Sequence, residues 1–100
     1  MSESSAPIRQ ALRDALPGAM EARDTPTRNA IRSALAAIEN AEAVTGEPRL
    51  RELDEDHTLE IVSAERDERL AAAAQHRALG QDDRAAELEA EAAALDAFLC

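Results

Sequence analysis

Three arginines, Arg23, Arg28 and Arg32, surround one amphipathic segment, "ARDTPTRNAIRSALAAIENAE" (22–42). A guanidinium presents paired donors in a fixed plane and can hold phosphate or carboxylate oxygens two at a time. Arg28 and Arg32 are four residues apart, so a helix places them on one side, just off its apolar stripe, together with Glu39. That arrangement suits a phosphate clamp, and it suits equally the solvated flank of a structural helix. All eleven cations of the chain are arginine, a choice that a GC-rich coding bias also explains given 24 alanines.

Catalytic groupings are sparse. The serines at 2, 4, 5, 33 and 63 lack the glycine-rich elbow that exposes a serine nucleophile, and there is no glycine-rich phosphate loop. A thiol nucleophile would have to be Cys100, the last residue. As the only cysteine it excludes an intramolecular disulfide and fits no prenylation pattern. "DEDHTLE" (54–60) sets His57 and Glu60 three apart with Asp54 and Asp56 nearby. It has no second histidine or cysteine and no calcium-loop glycine, so an acidic helix start accounts for it. No catalytic residue, metal site or cofactor site is assigned.

Composition narrows the function classes further. Only 20 side chains are apolar and larger than alanine, and Phe98 is the sole aromatic, which is enough for a thin helical core but not for a deep apolar pocket around a small-molecule substrate or cofactor. The net charge is −10. Residues 1–53 carry seven arginines against eight acids, whereas 54–100 carry four against thirteen. An acidic surface repels nucleic acid and anionic membranes, so any RNA contact falls to the first half. No secretory h-region or membrane-length apolar run is present, and a soluble cytoplasmic protein is expected.

The elements that must position these residues read as four amphipathic helices in one small bundle, an all-α domain over 8–100 preceded by a disordered segment, 1–7. Ile8, Leu12, Ala15, Leu16, Ala19 and Met20 give the first helix, near 8–22, which Pro17 is expected to kink without ending. Thr25 as N-cap and Pro26 as first residue open the second, near 26–45, and Gly46 with Pro48 close it. Asp54 caps a third helix, near 55–79, with Leu59, Val62, Leu70 and Ala73 on its inner face. Gly80 ends it in a left-handed conformation, and Asp82 caps a fourth, near 83–99, antiparallel to the third.

Glu42 and Arg66 fall inside apolar stripes, where a charge is costly unless partnered. Antiparallel second and third helices would place Glu42 by the start of the third and Arg66 nearer Ala34. The two should therefore find separate partners. His76, at the edge of an apolar face, is expected to make a packing or capping contact.

Three blocks then carry a family resemblance: "AMEARDTPTRNAIRSALAAIENAE" (19–42), "IVSAERDERLAAAAQHRALGQDDRAAE" (61–87) and "EAEAAALDAFL" (89–99). Together they resemble the GatB/YqeY domain family, the small YqeY proteins and the tail of the amidotransferase B subunit. Arg23, Asp24, Arg32, Ala36, Ala37, Ile38, Asn40, Glu42, Gly80 and Asp82 stand at matching positions. Longer relatives continue into a second, smaller helical domain where this chain stops at "FLC", and Gly80-Gln81 replaces a common Gly-Arg turn.

The resemblance implies an all-α fold and carries a label of glutamine-dependent carbon–nitrogen ligase chemistry that belongs to other domains. It also implies tRNA binding. Arg23, Arg28, Arg32 and Asn40 are the candidate RNA or partner contacts, and Glu42, Arg66, Gly80 and Asp82 are read as structural positions, Arg66 from its place in an apolar stripe and not from the resemblance. The acidic second half and the lack of stacking aromatics oppose RNA. A non-catalytic protein-interaction or accessory module, with a protein partner or self-association, is therefore the preferred expectation. A tRNA-binding accessory is the alternative.

Overall fold

The computed structural model describes residues 7–44 and 55–99, which form four helices: α1 (Pro7–Glu21), α2 (Thr25–Val44), α3 (Glu55–Ala78) and α4 (Asp82–Asp96). The expected all-α architecture is present, and no strand occurs among the described residues. α1 begins at Pro7, one residue before the expected start at Ile8. Proline at the first helical position gives up no hydrogen bond the helix would use. The rest of the expected disordered segment, the cap at Asp54, the stop at Gly46 and Pro48, and Cys100 lie outside the described residues.

α1 runs through Pro17 without interruption. An interior proline costs about 3 kcal/mol in an isolated helix, so tertiary packing must hold the two halves together. Leu12 and Ala19, on either side, are buried and Leu16 is partly so, whereas Met20 points outward. The core at this end draws on all four helices: Leu12, Ile31, Ala34, Ile38, Val62 and Leu95 are fully excluded from solvent. Each large side chain among them contributes roughly 1.5–3 kcal/mol. Farther out, α3 and α4 meet over a smaller cluster of Ala73, Ala85 and Leu88.

The expected inner face of α3 holds at Val62 and Ala73 and fails at its two leucines. Leu59 and Leu70, expected on that face, are 39% and 46% exposed. The buried residues of α3 are Thr58, Val62 and Ala73. Between them the helix turns Glu65 and Arg69 inward, and because these charges are paired inside the bundle the buried stripe follows them.

Both hairpins close in the same way, across three residues each. At the end of α1, Arg23 takes φ 59°, the Arg23 N–H donates to the Met20 carbonyl (3.1 Å) and the Asp24 N–H to that of Ala19 (2.9 Å). At the end of α3, Gly80 takes φ 77°, its N–H donates to Arg77 (3.0 Å) and that of Gln81 to His76 (2.8 Å). These are paired Schellman bonds, which satisfy carbonyls that the last helical turn would otherwise leave open.

The residue after each left-handed position stands at the N-cap of the next helix. Asp24, not Thr25, caps α2: its carboxylate accepts from the Thr27 N–H (3.3 Å) and the Thr27 hydroxyl (2.7 Å). Asp82, expected as a cap, is instead the first residue of α4, with Gln81 in the cap position. The Gln81 side chain makes no capping bond because its Oε1 meets His76 Nδ1 at 2.5 Å. Asp82 and Asp83 still favour the helix start electrostatically. α4 ends at Asp96, earlier than expected, and the chain turns through Leu99.

Candidate functional site

The α1–α2 corner gathers the predicted arginines. Arg23 and Arg28 line a shallow depression of about 240 Å³ with Met20, Asp24 and Thr25. Arg32, one turn farther along α2, is exposed and reaches back to the Met20 sulfur at 3.8 Å. Arg28 bonds only the neighbouring Asn29 side chain, at 3.3 and 3.4 Å. None of the three forms an ion pair among the described residues, and Arg13 on α1 forms none either. Asn40 is not part of this corner. Twelve residues beyond Arg28 on one helix, it lies about 18 Å away along the axis.

Among the described residues the remaining arginines, Arg13 apart, are neutralised from within. Arg9, 9% exposed, pairs with Glu42, which explains how Glu42 sits in an apolar stripe. Arg66 does not reach Glu42. It binds Asp96 (2.8 Å), Asp67 (3.1 Å) and the Ser63 hydroxyl (3.3 Å), and the hydrogen bond to Asp96, then that to Asp67, raises its pKa above the ordinary arginine value. Arg77 is raised likewise, chiefly by its 2.7 Å bond to Glu89.

The densest network was not anticipated. Arg69 Nε donates to Glu91 (2.8 Å) and its Nη1 to Glu65 (2.8 Å), while the Ser33 hydroxyl donates to the same Glu65 oxygen (2.9 Å). α2, α3 and α4 are thereby tied through one guanidinium. Burial acts to lower the Arg69 pKa, and the bonds to Glu91 and Glu65 together outweigh it, leaving it raised. Glu91 carried a legible signal. It stands three after Leu88 and four before Leu95, inside the stripe of α4.

Charge is therefore divided between the hairpins. Residues 7–44 hold five arginines and five acids, whereas residues 55–99 hold four arginines, all ion-paired, against twelve acids. Ser33 and Ser63 are engaged in the contacts just described. Among the described residues no group of three or more His, Cys, Asp or Glu side chains is placed to hold a metal ion, and no helix is long and apolar enough to cross a membrane.

The family model for Yqey-like proteins matches residues 9–100. The chain belongs to the YqeY family. No curated protein and no solved structure matches it. In this YqeY chain several of the positions that carry the resemblance have architectural work. Arg23 and Gly80 occupy the left-handed closures, Asp24 caps α2, Ile38 is in the core and Glu42 neutralises Arg9. Arg32 and Asn40 are exposed and have no such task.

Arg23 is the one non-glycine residue with positive φ among those described. A side chain there costs about 1 kcal/mol or more. Arg23→Gly is accordingly expected to leave the melting temperature unchanged or raise it. Gly80→Ala should destabilise by about 1 kcal/mol through backbone strain alone, since an added Cβ meets nothing within 4 Å. Thermal unfolding of both variants checks this pair. A clear loss for Arg23→Gly would assign the arginine side chain a structural role at the corner.

Proposed function

We propose that this YqeY chain is a cytoplasmic, non-catalytic helical module that acts by binding a protein. The observation that carries the reading is the charge of the α3–α4 hairpin, where every arginine is already held by acids and an excess of eight carboxylates faces solvent or the core. Such a surface repels phosphate backbones and suits a partner of opposite charge.

A second reading, a tRNA-binding accessory associated with tRNA-dependent amidotransferase, is favoured by the α1–α2 corner. Arg23, Arg28 and Arg32 converge there without acidic partners among the described residues. With no aromatic available for stacking, affinity would rest on a few phosphate contacts and fall steeply with salt, by about one unit of slope per contact. Two measurements separate the readings. Capture from cell extract should yield protein that survives nuclease treatment. Unmodified protein should show no saturable tRNA binding at low salt, the most permissive condition. Saturable binding that Arg28→Gln with Arg32→Gln weakens, with a flatter salt slope and unchanged helix content, would install the tRNA reading instead.

A further inference from the structure

One stripe on the outer side of α3 has at each end a leucine that the bundle leaves partly exposed. Leu59, Ser63, Arg66 and Leu70 follow at intervals of four, three and four, so they lie on one side of the helix. The stripe is bounded by the two leucines, 39% and 46% exposed and about 16 Å apart along the axis. Next to it a groove of about 410 Å³ opens, with Leu59, Ala64 and Leu99 as its apolar wall and Glu60 and Asp67 on its rim. Arg66 crosses its middle, but its charge is spent on Asp67 and Asp96 and its stem adds to the apolar surface.

Acids frame this groove. Asp56, Glu60 and Asp67, all exposed, run along one flank of α3, and Asp96 of α4 stands on the other. Among the described residues the one cation lining the groove is Arg66, already divided between two of these carboxylates. A second copy of the chain, at −10, is opposed by its own charge. The occupant that satisfies both floor and rim is a helix with apolar residues at i, i+4 and i+11 on one face and Lys or Arg beside them. Its anchors meet Leu59 and Leu99 in the groove and the exposed Leu70 beyond its lining, and its cations meet the flanking acids.

We propose that the groove between α3 and the end of α4 is the docking site of this module for a basic amphipathic helix of a partner protein. The proposal rests on the protein-interaction reading and adds to it the surface and the chemistry of the partner.

The test uses the full chain and two synthetic helical peptides of about sixteen residues with identical leucine spacing, one flanked by lysines and the other by glutamates. Fluorescence anisotropy should give saturable micromolar binding for the lysine peptide only. Leu59→Ser with Leu70→Ser should weaken it about tenfold or more, and Glu60→Lys with Asp67→Lys should do the same while admitting the glutamate peptide. Equal binding of both peptides, no saturation at millimolar peptide, or indifference to both double variants would each overturn the proposal. A concentration-dependent dimer that Leu59→Ser with Leu70→Ser dissolves would assign the face to a second copy. A large loss of melting temperature in that variant would mean that the chain itself covers the face.

Capture from nuclease-treated extract keeps the two readings apart. Protein captured equally by wild type and by the leucine variant would leave the interaction reading standing and remove the groove. No protein captured by wild type would remove the interaction reading, whatever the peptides do.

Discussion

Arg69→Ala is expected to cost about 3 kcal/mol, a large part of the stability of a chain this size. The loss arises less from the missing bonds than from what remains. Glu91, only 6% exposed, and Glu65 would face one another without a cation. Urea unfolding followed by circular dichroism measures the effect. Glu91→Gln should cost less, about 1 kcal/mol, because the amide oxygen still accepts from Arg69. Replacing Glu65, Arg69 and Glu91 together with Leu, Met and Leu should be neutral or stabilising, since the desolvation of three charges disappears. A severe loss in that triple variant would show that the ion pairs specify the helix arrangement. The raised Arg69 pKa keeps its contribution full below the ordinary arginine value, with loss only as pH climbs through the raised one. Arg69 therefore adds no pH dependence near neutrality.

Leu12→Ala is the second large effect, at about 3 kcal/mol for a side chain fully excluded from solvent. Its consequence should be uneven. α1 has no acid in its first turn, no base in its last, an interior proline and a non-glycine closure. Beyond the Arg9–Glu42 pair, what holds it is packing, with Leu12 at the centre. Amide exchange should accelerate across 8–21 well before it does in α3 and α4, whose hairpin keeps its own ion pairs. Uniform acceleration along the chain would mean that α1 unfolds only with the whole domain.

The legible parts of the sequence were those written in local terms. Apolar spacing located all four helices, and Gly80 announced its own closure. The left-handed role of Arg23 was hidden because the same geometry there uses a residue without glycine's signature. The tilt of α3 was hidden for a different reason. Leu59 and Leu70 look like core, and only the pairing of Glu65 and Arg69 with residues 22 to 32 positions away turns them outward. Glu42 and Arg66 were recognisable as charges in need of partners, but Arg9 and Asp96 could not be named without the packing. The arginines of the corner were visible as a group, whereas their lack of ion pairs among the described residues became evident only from three-dimensional neighbours.

The matching three-residue closures bear on the route by which the chain folds. Arg77 meets Glu89 twelve residues on and Arg69 meets Glu91 after 22, so the second hairpin closes on contacts near in sequence. Ser33 and Glu65, 32 apart, come together only when the two hairpins join. Local closure is entropically cheap and fast, and joining the preformed halves follows it. Substitutions at Gly80 should therefore slow folding, while substitutions at Ser33 should chiefly hasten unfolding, because that contact forms after the barrier. The turns set how quickly the molecule assembles, and the seam between hairpins sets how long it stays assembled.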